Sequence, residues 1–330
     1  KAKGAKFVIA GDPMQIAPVV MSDLSVGQNI YSMVGLKDFA NPRTEPYDYE
    51  VVCLDEQFRS VPCIGRIFSE FAYSGKLRHH RPVEDEKELE VVIDGMPAIK
   101  PLTLLRYPVS RFESIFKIKL LGMSSYQIYS ALFVFEYICK VAAGLRSAGR
   151  IGFRIGVISP YRAQADIVGR LIGKLERDLL SGVEVNVGTV HSFQGDECEM
   201  IIALLNPPQG MGRREGSFIN DKRVLNVAIS RARDYLVVAI PDSKTPNVQY
   251  LRGPLEIAEI MRQTPAVFSE VLTPDLEESV WGDRDYVEKN TYSTGHQNVN
   301  VYETPEKRFE VRSEDSALDV HFRADRSHVS

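Results

Sequence analysis

Short apolar runs rich in β-branched residues alternate with longer helical patterns through the first 250 residues, and no other feature constrains the fold as strongly. The strand-like runs lie at residues 6–10, 50–54, 154–159, 184–190, 199–205 and 235–240. The helical patterns lie at residues 62–73, 126–145, 163–180 and 221–233. Several runs are apolar on both faces, which is typical of parallel strands covered by helices. We therefore predict an α/β fold with a parallel sheet and helices on both of its faces.

The sequence after residue 240 has a different pattern. Pro241, Pro246 and Pro254 mark a linker, and a short helix is predicted at residues 255–262. Polar and apolar residues then alternate in three runs, at residues 298–302, 308–312 and 317–322. Alternation of this kind predicts strands with one solvated face. We expect a small β meander as a C-terminal extension.

Composition places the chain among ordinary globular proteins. Of its 330 residues, 44% are hydrophobic and 25% are charged. The most apolar stretch, residues 131–145, is interrupted by Glu136 and Lys140, so no segment is predicted to span a membrane. The four cysteines form no C-x-x-C pair, which argues against the usual structural zinc patterns and favours a reducing compartment. Lys1 stands in place of an initiator Met without a leader after it, so we expect a cytoplasmic fragment.

Charge is distributed unevenly along the chain. Residues 251–330 hold 9 of the 40 basic and 16 of the 44 acidic residues, which leaves 31 basic and 28 acidic residues before them. A mildly basic body followed by an acidic tail permits binding of nucleic acid without demanding it.

The first polar cluster is Gly-Asp-Pro-Met-Gln at residues 11–15, directly after the first apolar run. A strand that ends in Gly-Asp places polar groups at the carboxyl edge of a sheet, where open α/β folds bind ligands. Taken alone, the same residues also fit a strand followed by an ordinary turn.

The second cluster, residues 54–60, contains Asp55-Glu56 after an apolar run and so imitates a Walker B strand. That interpretation needs a phosphate loop. The pairs Gly75-Lys76 and Gly173-Lys174 are both followed by Leu, and non-glycine residues stand five positions before each Gly. The sequence therefore contains no Walker A pattern, and we assign no metal ligands in it.

The third and fourth clusters are Gly-Thr-Val-His-Ser-Phe-Gln-Gly-Asp-Glu at residues 188–197 and Asn-Val-Ala-Ile-Ser-Arg-Ala-Arg at residues 226–233. The third offers hydroxyl and backbone N–H groups to a phosphate backbone from one strand end, or it is an ordinary loop. In the fourth, Arg231 and Arg233 either complement the dipole at a helix C-terminus or aim a guanidinium at a nucleotide phosphate.

The order of the clusters resembles that of superfamily 1 helicases. Gly-Asp-x-x-Gln, Gln-Phe-Arg, Ser-Pro-Tyr-x-x-Gln, Thr-Val-His-Ser-Phe-Gln-Gly-x-Glu and Asn-Val-Ala-Ile-Ser-Arg-Ala follow one another across residues 11–233. They are similar to motifs III to VI of the branch that contains the nonsense-mediated-decay helicases and their bacterial relatives. Small departures occur, with Phe58 and Ser230 where the family has Tyr and Thr. The family's Walker B precedes Gly-Asp-x-x-Gln, so Asp55-Glu56 flanks motif IV instead.

The resemblance implies a RecA-like sheet of the P-loop NTPase type and a set of roles. Catalytic roles at the γ-phosphate and the transferred phosphoryl group fall to Gln15, Arg59 and Arg231. Nucleotide-binding roles fall to Gln57, Gly195 and Glu197, and contacts to single-stranded nucleic acid fall to Pro160, Tyr161, Thr189 and Ser192. The implied cofactors are ATP and Mg²⁺, held mostly by an upstream domain. The implied partners are that N-terminal RecA-like domain and a single strand, with DNA favoured over RNA, and no membrane.

The resemblance also divides the chain. Residues 1–40 are expected to be the trailing part of a first RecA-like domain, residues 41–250 a second RecA-like domain, and residues 251–330 an extension of open role. Two functions remain possible at this point. One is the C-terminal part of an ATP-dependent helicase or translocase, inactive as a fragment. The other is a non-catalytic nucleic-acid-binding or regulatory module without an ATPase half.

Overall fold

The computed structural model describes most of the chain between residues 7 and 324. The described residues are 7–16, 30–33, 49–91, 93, 96–107, 117–174, 180–209, 218–243, 248–272, 275, 277–279, 282, 284, 291–292, 299–303, 307–314 and 317–324. The α-helices are α1 Ile30–Met33, α2 Pro62–Tyr73, α3 Ile128–Ser147, α4 Arg162–Gly173, α5 Lys222–Ile229 and α6 Arg252–Arg262. The strands of the main sheet are β3 Leu102–Tyr107, β6 Phe153–Ser159, β7 Val183–Thr189, β8 Cys198–Leu204, β9 Ala232–Pro241 and β10 Phe268–Val271. The remaining strands are β1 Glu56–Gln57, β2 Arg78–His79, β4 Lys119–Leu121, β5 Ser124–Tyr126, β11 Thr291–Tyr292, β12 Val299–Glu303, β13 Lys307–Glu314 and β14 Ala317–Ala324.

The centre of the fold is a six-stranded sheet in the order β10-β3-β9-β8-β6-β7. Every neighbouring pair in it is parallel. Successive residues of a strand point to opposite faces, and both faces of β8 are apolar: Met200 and Ile202 join one core, Ile201 and Ala203 the other. Helices α3 and α4 cover the first core, and α2, α5 and α6 cover the second. The predicted α/β fold with helices on both faces of a parallel sheet is confirmed.

Helix α3 is the most apolar element of the fold. By length and composition it could cross a membrane, but 83% of its most apolar window is buried within the protein. Its buried aromatic residues, among them Tyr129, Phe133 and Tyr137, pack against the sheet. Such burial is that of a core helix. Ser124 and Ser125, which precede this helix, lie in β5, and the Ser124 hydroxyl accepts from the Ala163 amide at the start of α4.

Several predicted elements are wrong in extent. Phe7–Ala10 and residues 50–54 are not strands, and no strand of the described part pairs with them. The helix predicted to reach residue 180 ends at Gly173, and the one predicted to reach residue 233 ends at Ile229 because β9 begins at Ala232. Strands β3 and β10 were not expected from the sequence.

The boundary predicted at residue 250 falls inside the fold. Leu251, just before helix α6, and Ile257 and Met261 within it belong to the second core. Strand β10 pairs with β3 in the main sheet. The parallel fold therefore continues to Val271. Beyond it, β11, β12, β13 and β14 form the expected antiparallel sheet in sequence order.

The chain returns across the sheet between β7 and β8. Because both strands are parallel to β6, residues 190–197, here called the crossing segment, must run from the carboxyl edge of the sheet to its amino edge. Phe193 in this segment is buried and lies against Gly156 of β6 and Gly188 of β7, where an added Cβ would meet its ring. The two glycines leave the space that this ring fills.

We expect Gly156→Ala to destabilise the fold by about 1–3 kcal/mol, because overpacking of a close-packed core forces neighbours to move. The new Cβ would lie 2.5 Å from Ile201 Cδ1 and 2.9 Å from Phe193 Cε1. Thermal unfolding of the purified chain measures the loss. Gly169→Ala in α4 is the matched control: its nearest neighbour would be Val187 Cβ at 3.9 Å, so it should be neutral or stabilise by up to about 1 kcal/mol. Equal stability of Gly156→Ala and wild type would show that the crossing segment is not packed on β6.

Candidate nucleotide and strand sites

Four of the predicted site residues come together at the amino edge of the sheet. Arg59 Nε donates to Glu197 Oε2 at 2.7 Å, and Arg59 Nη1 donates to the Ser230 carbonyl at 3.2 Å. Arg231 Nη2 donates to Gln15 Oε1 at 3.3 Å. Residues from four separate parts of the sequence therefore form one cluster, here called the arginine cluster: Gln15, Arg59, Glu197 and Arg231.

Backbone hydrogen bonds at the start of β9 position this cluster. The amide of Cys198 donates to the Arg231 carbonyl at 3.2 Å, and the amide of Val61 donates to the Arg233 carbonyl at 2.9 Å. Between them, the Ser60 hydroxyl donates to the Ala232 carbonyl at 2.6 Å. Each bond fixes a residue within two positions of a member of the cluster, so the backbone sets the spacing of the charged side chains.

The two arginines differ in their surroundings. Arg231 is only 3% exposed, whereas the side chain of Arg59 is 34% exposed. Burial lowers the pKa of Arg231, and the neighbouring Arg59 guanidinium lowers it further. The hydrogen bond from Arg59 lowers the pKa of Glu197 against the opposing effect of its partial burial. A carboxylate thus neutralises Arg59, while Arg231 donates to neutral oxygens: the carbonyls of Val227 and Asp196 and the Gln15 side chain.

Gly195 lies within the crossing segment just before Glu197. Its φ is +96° and an added Cβ would meet no atom within 4 Å. This left-handed conformation favours glycine. The open space in front of it agrees with its predicted place beside a nucleotide, which stays a prediction.

Gln57 makes a local contact instead of joining the arginine cluster. Its side chain accepts from the Ser60 amide at 2.9 Å and donates to the Ser60 carbonyl at 2.8 Å. It also lies 3.3 Å from His79 Nδ1. These bonds hold the turn that carries Arg59.

The predicted strand-binding residues lie at the opposite, carboxyl edge of the sheet. Thr189 ends β7 next to Ser159 at the end of β6, and Pro160 and Tyr161 follow directly. Ser192 is exposed and donates its hydroxyl to the Thr189 carbonyl at 2.8 Å. Pro160 is buried and Tyr161 is half-buried. A smaller fraction of the surface of each is therefore open to a ligand than at Ser192.

The two groups of residues are therefore separated by the length of the strands. From Val183 to Thr189, β7 rises by about 3.3 Å at each of its six steps, which gives a length of roughly 20 Å. The expectation that residues 188–197 gather at one strand end is wrong, because the crossing segment spans the sheet between its two edges.

The sequence analysis assigned no role in positioning Gln15 to three residues that hold it in place: Asp12, Tyr73 and Asn226. Asp12 accepts from Gln15 Nε2 at 3.0 Å and from the Tyr73 hydroxyl at 2.5 Å. Asn226 Nδ2 donates to the Met14 carbonyl at 2.9 Å. A tyrosine at a helix end and an asparagine inside a helix carry no signal of this kind in one sequence.

The arginine cluster fits a polyphosphate better than a metal ion. No group of three or more His, Cys, Asp or Glu side chains that could hold a metal occurs in the part of the chain that the structure describes. The Glu197 carboxylate pairs with Arg59, and the second, buried guanidinium of Arg231, whose pKa is lowered, gains from a nearby anion. The donors present are those that bind phosphate oxygens.

Comparison with known proteins identifies the family. The family model described as AAA domain matches residues 39–242, more than half of the chain. The chain is 26% identical over 233 residues to the 5'-3' DNA helicase ZGRF1 of Mus musculus, covering 71% of this chain and 11% of that protein. It is 28% identical over 247 residues to the ATP-dependent helicase NAM7 of Saccharomyces cerevisiae, covering 72% and 23%.

A plant relative and one solved structure extend the comparison. The Regulator of nonsense transcripts 1 homolog of Arabidopsis thaliana is 27% identical over 256 residues, covering 74% of this chain and 18% of that protein. The chain thus spans between 11% and 23% of the length of these three relatives. The crystal structure of the C-terminal domain of a possible DNA helicase from Lactobacillus plantarum is similar at a TM-score of 0.33 and 14% identity, covering 65% of this chain and 98% of that one. By its matched domain and its motifs, the chain belongs to the AAA domain family and to the superfamily 1 helicase branch of the nonsense-transcript regulators.

Proposed function

We propose that this chain is the C-terminal motor part of an ATP-dependent helicase or translocase. The observation that carries the proposal is the arginine cluster, in which Arg231 donates to Gln15, Arg59 donates to Glu197, and the Arg59 guanidinium lies close enough to lower the pKa of Arg231. A module that only binds nucleic acid has no need of two converging arginines at the edge opposite its strand-binding residues. The cluster therefore favours the motor over the non-catalytic alternative.

Bound Mg²⁺-ATP supplies the phosphoryl group whose transfer such a motor uses. Arg59 and Arg231 neutralise negative charge at the phosphate oxygens, and Gln15 accepts a hydrogen bond from Arg231 that keeps the guanidinium plane oriented. Glu197 holds Arg59 at 2.7 Å and is the carboxylate available to ribose hydroxyls. Gly195 leaves room for close approach of a ligand to the backbone.

A single strand would bind across the carboxyl edge. Exposed Ser192 and half-buried Thr189 offer hydroxyl and amide donors there, and phosphate contacts of this type position a strand without reading its sequence. One relative is a DNA helicase by name, which supports DNA as the substrate. The crossing segment joins this edge to the arginine cluster and is the route by which the two sites affect each other.

The purified chain of 330 residues should hydrolyse no ATP above background, with or without single-stranded DNA. Its sequence has no Walker A pattern, and the groups that hold the β- and γ-phosphates and Mg²⁺ in such motors come from that pattern. A steady-state phosphate-release assay measures this. Turnover that Arg231→Ala abolishes would contradict the proposal.

In a protein that joins this chain to a phosphate-loop domain, Arg59→Ala and Arg231→Ala should each lower kcat by about 10³-fold or more, while the nucleotide Kd changes much less. The reason is that charge accumulates on the γ-oxygens mainly in the transition state. Stopped-flow binding of ATP beside steady-state kcat separates the two effects. Arg170→Ala, an exposed arginine of α4, is the control and should leave kcat unchanged. A normal kcat for Arg231→Ala would remove it from the site.

Thr189→Ala and Ser192→Ala should weaken binding of this chain to single-stranded DNA about equally for all sequences. The slope of log affinity against log salt concentration should stay the same, because a phosphate contact made by a hydroxyl releases no counterion. Loss of a lysine or arginine contact would instead lower the magnitude of this slope by roughly 0.7. Fluorescence anisotropy over a salt series measures both quantities. Ser181→Ala, in the turn at the other end of β7, is the matched control. Unchanged affinity in the double variant would show that this loop packs without binding the strand.

A further inference from the structure

The segment that carries Gln15 has little support of its own. Residues 7–11 are exposed and belong to no strand. Inside the turn, Asp12 accepts from the Met14 amide at 2.8 Å and from Gln15 Nε2 at 3.0 Å. These bonds orient the Gln15 side chain relative to Asp12, but they do not place either residue against the sheet.

Two side chains of the main fold supply that placement. Tyr73, the last residue of α2, donates its hydroxyl to Asp12 Oδ2 at 2.5 Å. Asn226, fully buried in α5, donates through Nδ2 to the Met14 carbonyl and to the Tyr73 hydroxyl oxygen, both at 2.9 Å. Burial and the nearby Asp12 carboxylate raise the pKa of Tyr73, so its hydroxyl keeps its proton and remains a donor.

The geometry also sets the distance between Gln15 and Arg231. Asn226 lies in α5, and Arg231 follows five residues later, just beyond the end of this helix. The segment that is hydrogen-bonded to Asn226 therefore lies directly beside the Arg231 guanidinium. The side-chain amide of Asn226 makes two hydrogen bonds through Nδ2, whereas Oδ1 has no hydrogen-bond partner within the described residues. The two bonds from Nδ2 therefore set the orientation of the amide. Met14 and Ile16 add apolar contact with the second core.

We propose that Tyr73 and Asn226 are positioning residues: they hold Asp12 and thereby set Gln15 against Arg231 for contact with the nucleotide phosphate. This inference rests on the proposed function for the role of Gln15 and Arg231. The hydrogen-bonded chain Asn226–Tyr73–Asp12–Gln15–Arg231 links the motif III segment to the second RecA-like fold without any ligand.

The test uses the whole 330-residue chain and needs no nucleotide. In Tyr73→Phe, hydrogen–deuterium exchange at the amides of Met14 and Gln15 should rise by about fivefold to tenfold, as expected for the loss of one hydrogen bond that anchors the turn. The side-chain Nη resonances of Arg231 should show faster rotation by NMR, because Gln15 Oε1 no longer restrains them. The melting temperature should stay close to that of wild type.

Two further variants make the result specific. Asp12→Asn should raise exchange at least as much as Tyr73→Phe, because it also removes the acceptor of Gln15 Nε2. The double variant should exchange no faster than Asp12→Asn alone, because the Tyr73 hydroxyl acts through its bond to Asp12. Tyr137→Phe is the control, since it removes a buried hydroxyl without a hydrogen-bond partner within the described residues, and it should change neither readout.

Other results would overturn the inference. Unchanged exchange in Tyr73→Phe would show that the hydroxyl does not hold the segment. Faster exchange with unchanged Arg231 resonances would show that Tyr73 packs the segment without positioning Gln15. Either result would leave the proposed function standing, because that proposal is tested separately by the kcat of Arg231→Ala.

Discussion

Three consecutive carbonyl oxygens at the start of β9 hold the arginine cluster of this protein together. The Arg231 carbonyl bonds to β8, and the next two bond to the turn that carries Arg59. The register explains how this is possible. From Cys198 to Met200 the partners in β9 advance from Ala232 to Tyr235, so β9 has one extra residue. Such a bulge leaves one residue out of the ladder, which frees the Arg233 carbonyl for Val61 and for the Arg81 guanidinium at 3.2 Å.

The crossing segment turns this local arrangement into a connection between two sites. It leaves the sheet at Thr189 and enters it again at Cys198 on the opposite edge. Because Phe193 is buried over Gly156 and Gly188, the segment is a packed part of the core, and a shift at one end must move side chains that are close-packed.

The sequence predicted the parts of the fold that have a local signal. Strands β6, β8 and β9 were predicted because their runs are apolar on both faces, and β7 because its run is rich in valine. Strand β3 was missed because Leu-Thr-Leu-Leu-Arg-Tyr has few β-branched residues, and β10 because it is a short edge strand with a half-buried side. Helix α5 ends earlier than its pattern because β9 requires an extended backbone from Ala232.

The residues that form the arginine cluster were named from the sequence, but their contacts were not, and their roles stay a prediction. Arg59 and Glu197 are 138 positions apart, and only the fold brings them to 2.7 Å. The motif order, a property of the whole sequence, identified both. The length of the sheet separates them from Thr189 and Ser192. This separation follows from the directions of β7 and β8, which residue spacing in the sequence does not reveal. The network of Tyr73 and Asn226 is missing from the sequence analysis for the same reason.

The charges of the arginine cluster show what kind of ligand completes it. Burying Arg231 next to Arg59 lowers the pKa of Arg231, which means that the folded state disfavours this positive charge relative to the unfolded chain. The carbonyl oxygen of Val227 offsets part of that cost, and Glu197 is already bound to Arg59. An anion between the guanidiniums would favour the charged form of Arg231 and raise its pKa again. A cationic ligand at this position would increase the cost, so the charges of the arginine cluster favour an anion at this edge of the sheet.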